Sequence, residues 1–309
     1  MTIRPPGAVC TLLVTASLLA ACAPAPGVGT RPNGVPDAAA STTAVTLPPS
    51  GGVFDYQLGG AYDPAADVTI VARDRTAEPA SGVYSICYVN LFQTQPDADD
   101  GPDPRATGTT AWWEAEHPEL LLRDADGALV VDDDWDEALF DIRTAENREA
   151  LLAVQREWLE GCAADGFDAV EPDNLDQHER SDDLQTLDDT VAYMRLVIPI
   201  AHGLGLAVAQ KNTADLGDGG PTLVSSSPAE GFDLAVAEEC EVYDECDAYP
   251  YPGRVLEVEY TDTGDLTRGG RTLTAFAWAC ERRAGEHPIT LRDRDVVAPD
   301  DPAYVFEHC

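Results

Sequence analysis

Residues 166–176 read G-F-D-A-V-E-P-D-N-L-D. The apolar pair Ala169-Val170 runs into Pro172-Asp173-Asn174, and four acids (Asp168, Glu171, Asp173 and Asp176) fall within nine positions. Buried carboxylates are costly unless they are paired or put to use. The stretch therefore predicts a buried strand whose far end opens onto a loop with chemistry in it. Just upstream, "AENREALLAVQREWLEGCAADG" (145–166) has amphipathic helical spacing and closes on glycine. Helix, then strand, then acidic strand end is the unit from which the rest of the chain can be read.

The same alternation recurs. Strand-like runs lie at 54–58, 68–72, 83–89, 139–143, 168–173, 206–211, 234–239 and 255–260, with a ninth at 289–294. A second helical pattern covers 184–205, "LQTLDDTVAYMRLVIPIAHGLG". Apolar strands alternating with helices argue for parallel pairing. Eight of them in about 250 residues fit an α/β fold, a (β/α)8 TIM barrel. On this reading the ninth run is an appendage, 91–138 is a long loop over the barrel top, and the crossover 59–67 is too short for a helix.

Chemistry in such a barrel gathers where the strands finish. Those ends carry Asn90, Arg143, Asp173-Asn174, Lys211-Asn212, Glu238-Glu239 and Glu259-Tyr260. A period of two puts Glu171 with Asp173 on one face, Ala209 with Lys211, and Asp141 with Arg143. Paired carboxylates beside cations suit glycoside hydrolysis, in which one acid protonates the leaving oxygen and the other attacks or activates water. Trp112, Trp113 and Trp135 in the covering loop, with Tyr56, Tyr88 and Tyr260 at strand ends, are candidate sugar platforms. A structural ion-pair network at the barrel mouth is the alternative use of the same charges.

Other chemistries find less support. The chain has no G-x-S-x-G, H-E-x-x-H or P-loop pattern, and the acidic loops at 97–101 and 124–127 lack EF-hand spacing, so no cofactor or metal is expected. Lys211, the single lysine, admits a Schiff-base aldolase reading, but neighbouring acids would hold its ammonium charged. His202, within a helical pattern, reads as structural.

The net charge is −37, from 19 basic and 56 acidic residues. This excludes a nucleic-acid partner, which needs basic patches. It fits either a cationic substrate drawn in by the protein's field or an acidic composition that keeps the surface soluble. At the N-terminus, Arg4, the apolar run 8–20 and "LLAAC" (18–22) resemble a lipoprotein signal with Cys22 as the lipidated residue, the alternative being an ordinary secretory peptide cleaved nearby that leaves the protein secreted. Residues 23–52, rich in Pro, Gly, Ala, Ser and Thr, read as a disordered tether spanning about 30 Å. The chain is then expected outside the cytoplasm, touching a membrane only through its lipid, with the barrel domain at 53–309. There the six cysteines Cys87, Cys162, Cys240, Cys246, Cys280 and Cys309 are expected in disulfides. Fifteen pairings are open; the preferred one joins Cys240 to Cys246 and Cys280 to Cys309, leaving Cys87 for Cys162.

Several motifs, in this order, resemble the endo-α-1,4-polygalactosaminidase family of glycoside hydrolases, family 114. They are "DYQLGGAYD", "FDIRT", "GFDAVEPDNLD", "GLAVAQKNTADL", "FDLAVAEECEVYDEC" and "VLEVEYT", and the resemblance covers most of 53–262. It implies a TIM barrel that cleaves α-1,4-linked galactosamine polymer internally. It also implies catalytic carboxylates at Asp173, as nucleophile, and Glu238, as general acid/base, with Glu171 as the alternative in this face. Lys211 and Arg143 would hold Asp173 ionised, Asn174, Asn212 and Asp176 would position hydroxyls, and Asp55 and Glu259 would meet the substrate's amino group. A lipoprotein that binds envelope polysaccharide without cutting it is the competing function.

Overall fold

A computed structural model describes residues 45–98, 101–216 and 231–309. The leader, Cys22 and the first part of the tether lie outside the described residues. Eight parallel strands form the barrel: β1 (Phe54–Gln57), β2 (Ile70–Asp74), β3 (Tyr84–Asn90), β4 (Ala169–Asp173), β5 (Ala207–Lys211), β6 (Leu234–Glu238), β7 (Val255–Tyr260) and β8 (Ile289–Arg292). Each pairs with the next in chain order, and β9 (Phe306–His308) adds antiparallel to β8. Across the seam between β8 and β1, the Thr290 hydroxyl donates to the Phe54 carbonyl at 2.6 Å. Beside it the buried Arg292 guanidinium meets Asp55 at 3.3 Å.

Period-two alternation fills the interior. Phe54, Ile70, Ala72, Ile86, Ala169, Ala207, Ala209, Leu234, Val236, Leu256 and Val258 form one buried cluster, in which alanines on β4 and β5 make room for the larger side chains opposite. The outward set, including Val89, Val170, Val208 and Ala235, packs under α2 (Ala145–Asp165) and α3 (Leu187–Gly203). Thr144 caps α2 and Gly166, at φ 97°, ends it in the left-handed conformation that glycine adopts without a Cβ penalty. Thr186 and Asp189 form a capping box at the start of α3. Two shorter helices, α1 (Thr110–Glu116) and α4 (Cys240–Tyr243), belong to the loops, and α5 (Ala275–Arg283) packs against β7 and β8.

Two expected strand assignments are corrected. Residues 139–143 are not a barrel strand, because β3 pairs directly with β4 along Ile86–Asn90 and Ala169–Asp173 and leaves no edge for them. Their apolar side chains are buried, but their backbone bonds to loop segments: Phe140 N to Phe92 O at 3.0 Å and Asp141 N to Leu120 O at 2.8 Å. The run at 289–294 is no appendage; its first four residues are β8 and complete the barrel. Glu238 therefore sits on the sixth strand rather than the seventh.

The long β3–β4 connection does cover the barrel top. It contains α1, a two-stranded hairpin (Val131–Asp132 with Glu137–Ala138) and then α2. The disulfides are Cys87–Cys162, tying β3 to α2, Cys240–Cys246 across α4, and Cys280–Cys309, tying α5 to the C-terminus. Residues 45–52 lie against the domain, where the Tyr84 hydroxyl donates to the Thr46 carbonyl at 2.9 Å.

Candidate active site

The last inward-facing residues of the strands converge on one ammonium. Lys211 Nζ, on a side chain only 4% exposed, lies 3.1 Å from Asp173 Oδ1, 3.0 Å from Glu238 Oε2 and 3.6 Å from Glu171 Oε1. It also donates to the Tyr56 hydroxyl at 3.1 Å. Tyr56 in turn donates to Glu171 Oε1 at 2.6 Å, and Tyr88 donates to Asp173 Oδ2 at 2.6 Å. The Tyr260 hydroxyl donates to Glu238 Oε1. Asn212 holds Glu238 from two sides: its Nδ2 donates to Oε2 at 2.9 Å and its Oδ1 accepts from the Glu238 backbone N–H at 2.8 Å. Each carboxylate thus has the ammonium and a tyrosine fixing its orientation.

Backbone geometry marks the same place. Asn174 (φ 63°), Asn212 (φ 45°), Thr213 (φ 55°) and Glu239 (φ 54°) are left-handed, directly after the ends of β4, β5 and β6. Asparagine tolerates this conformation, but threonine and glutamate adopt it at a cost. At Glu239 it is offset by Arg294, whose two nitrogens bond the carboxylate at 3.1 and 2.9 Å. Arg294 also lies 4.0 Å over the Tyr260 ring, so the wall behind Glu238 is fixed by charge and by stacking.

Burial and charge set the protonation states. Burial acts to raise the Asp173 pKa, but the Lys211 charge, the Tyr88 hydroxyl and the Asn174 N–H outweigh it and bring it below the usual carboxylate range. Burial would lower Lys211; the charges of Asp173, Glu238 and Glu171 overcome it and hold the ammonium well above its ordinary value. An amine so strongly held in its charged form is a poor Schiff-base nucleophile. Glu171, fully buried, is raised to about 7, mainly by burial, against the pull of Lys211 and Tyr56.

Asp173 and Glu238 open into a cavity of about 870 Å³, with Tyr56, Tyr88, Tyr260, Asn174, Asp176, Lys211 and Asn212 in its walls. Glu171 lies beneath Lys211 with no solvent exposure and outside that lining. Four expected substrate-binding residues are elsewhere. Asp55 is buried on the outer face of β1, bonded to Gln57, Tyr62 and Arg292. Glu259 faces away from the barrel interior, accepts from the Glu241 N–H at 3.2 Å, and is raised to about 9 by burial and the Glu257 charge. Asp141 and Arg143 pair with one another at 2.7 Å in the β3–β4 connection, so Arg143 does not support Asp173. Of the tryptophans, Trp113 is wholly buried among Phe140, Trp158 and His117, whereas Trp135 is 55% exposed at the cavity edge.

Several cavity residues escaped the sequence reading: Asp132, Glu137, Arg180, Tyr243, Arg294 and Asp295. The acid run 132–137 was their one visible signal. Arg180 bonds Asp132 and Asp176, each at 2.7 Å, and so pins the hairpin to the end of β4. His202 is structural, bonded to Asp233 at 2.8 Å.

A parallel barrel that gathers two oriented carboxylates into an acid-lined cavity edged by aromatics defines a glycoside hydrolase. The chain belongs to glycoside-hydrolase family GH114, whose family model matches residues 34–309. The Aspergillus fumigatus Ega3 structure, in complex with galactosamine, is 23% identical with a TM-score of 0.60, over 87% of this chain and 99% of that one. The glycoside hydrolase domain of PelA from Pseudomonas aeruginosa is 11% identical with a TM-score of 0.52, over 82% of this chain and 98% of that one. At such identities the likeness concerns the fold. No curated protein sequence matches the chain.

Proposed function

We propose that this glycoside hydrolase cleaves α-1,4-linked, galactosamine-containing polysaccharide internally, with Asp173 as nucleophile and Glu238 as general acid/base. The observation that carries the reading is the shared ammonium. One Lys211 Nζ within 3.1 Å of Asp173 and 3.0 Å of Glu238 keeps the facing oxygens within roughly 6 Å, a bound that the roughly 5–5.5 Å of retaining pairs meets. That favours double displacement with retention. Asp173, kept ionised, attacks the anomeric carbon while Glu238 donates its proton to the leaving oxygen. Water, deprotonated by Glu238, then releases the sugar from Asp173.

Charge supports a cationic or neutral polymer over an anionic one. Among the described residues, the cavity wall holds twelve carboxylates and three cations. All three cations are committed: Lys211 to the catalytic acids, Arg180 to Asp132 and Asp176, and Arg294 to Glu239 and Asp262. A uronate or phosphate would meet a negative field with no free cation among the described residues. Ega3 binds galactosamine, which adds to the reading. Three disulfides support an oxidising, extracytoplasmic compartment, in keeping with a lipid anchor at Cys22.

The test is release of reducing ends from purified galactosamine polymer, with galacturonan as the anionic comparison. Soluble oligosaccharides from the first polymer alone support the proposal. A polymer that is bound and left intact favours the binding lipoprotein instead.

A further inference from the structure

Glu137 is the one buried acid of the cavity wall that no cation answers among the described residues. It is 8% exposed and reaches the cavity from the hairpin of the β3–β4 connection. Its Oε2 accepts from Asn90 Nδ2 at 2.8 Å and Asn174 Nδ2 at 3.3 Å. The Gln93 amide, turned so that its oxygen faces Arg180, donates a third bond at 2.9 Å. Oε1 accepts no bond from the described residues, and Glu137 forms part of the cavity wall. Three amides thus fix one oxygen, and the other takes no bond from the described residues.

The place is also specific. Asn90 stands opposite Asp173 in the β3–β4 register, and Asn174 follows Asp173 directly. The carboxyl is therefore tied to the two residues that flank the nucleophile. The charged or titratable groups facing it are Asp173 on β4, Tyr88 on β3, Asp132 on its own hairpin and Arg180 after β4, the last already shared by Asp132 and Asp176.

We propose that Glu137 is the specificity residue for the amino group of the sugar seated against Asp173, binding it as an ammonium and giving up its own proton to solvent as it does so. This rests on the proposed galactosamine substrate. The exchange balances: a neutral carboxylic acid and an alkylammonium become a carboxylate–ammonium pair and one released proton. Burial, opposed by the Asn90 and Asn174 amides and reinforced by Asp173 and Asp132, raises Glu137 to about 8, so near neutral pH the free enzyme holds it mostly protonated. An arriving ammonium supplies the missing cation and reverses that balance. A neutral hydroxyl at the same carbon does not.

Titration calorimetry of the full-length protein with D-galactosamine and with D-galactose at pH 6.5, in two buffers of different ionisation enthalpy, tests this. Galactosamine should release close to one proton per site and galactose none. Glu137→Gln should abolish the release and weaken galactosamine about tenfold or more, with galactose unchanged. Galactosamine binding without proton release in the unmodified protein, release that persists in the variant, or equal weakening of both sugars would overturn the assignment. The unmodified protein carries the first readout, so it stands even if the variant misfolds. Polymer cleavage without linked proton release separates failure of this inference from failure of the proposed function.

Discussion

Replacing Lys211 with methionine removes the ammonium that three carboxylates share, at nearly constant volume. At the observed 3.0–3.6 Å, each contact is worth about 5 kcal/mol at an effective dielectric near 20, much of it offset by desolvation and by repulsion among the acids. Removing one partner from a buried ionic cluster costs a net of about 3–5 kcal/mol. For a domain of this size that lowers Tm by roughly 10 °C. The loss should depend on pH, and its sign follows from the shifts. In the native protein the depressed Asp173 contributes stability above its ordinary pKa that is lost as pH falls through the folded value. Lys211, raised, contributes fully below its ordinary pKa and loses that contribution as pH climbs through the folded value. Glu171, raised to about 7, already favours folding less as pH rises from about 4.3 toward 7. Without the ammonium Asp173 loses its depression and Glu171 rises further, so Lys211→Met should be destabilised more at pH 8 than at pH 5. Asp173 also becomes harder to ionise, and kcat should fall about a hundred- to a thousandfold, with the residual activity optimum moved toward alkaline pH. Thermal unfolding and a pH–rate profile of the variant measure both effects. An unchanged Tm at pH 8 together with an unshifted profile would refute the argument that Lys211 holds the acids charged.

Retention should be visible by proton NMR, with the α-anomer of the new reducing end accumulating before mutarotation; initial β product contradicts the carboxylate spacing. Trp135→Ala should raise KM for polymer about three- to tenfold with kcat nearly unchanged, because the indole is exposed in the cavity wall and no hydrogen bond ties it to Asp173 or Glu238 among the described residues. The Cys87→Ala/Cys162→Ala double variant opens a loop of 75 residues. It should lose roughly 4 kcal/mol of stability by chain entropy while keeping its KM at 25 °C, as calorimetry and kinetics would report.

Phase along each strand explains what could be read from residues alone. Ends such as Asp173, Lys211 and Glu238 stood out because polar groups finish otherwise apolar runs. Neighbouring pairs did not resolve themselves: Asp55 and Tyr56, like Glu259 and Tyr260, lie on opposite faces, and in each pair the tyrosine faces inward. Choosing between them requires the strand's phase, which depends on packing against both neighbours. Asp141 and Arg143 share the spacing of a strand end, yet their segment has no open edge to join, because β3 and β4 already pair. Glu137, Arg180 and Arg294 act through contacts between segments far apart in sequence, and no local pattern encodes those.

The acid pair itself is tested most directly by reducing-end release from galactosamine polymer by three forms of the protein: unmodified, Asp173→Asn and Glu238→Gln. Each substitution removes a carboxyl group with little change in volume. The account expects both variants to stay folded by circular dichroism and to lose at least about a thousandfold in kcat. Either variant turning over at close to the native rate would contradict it.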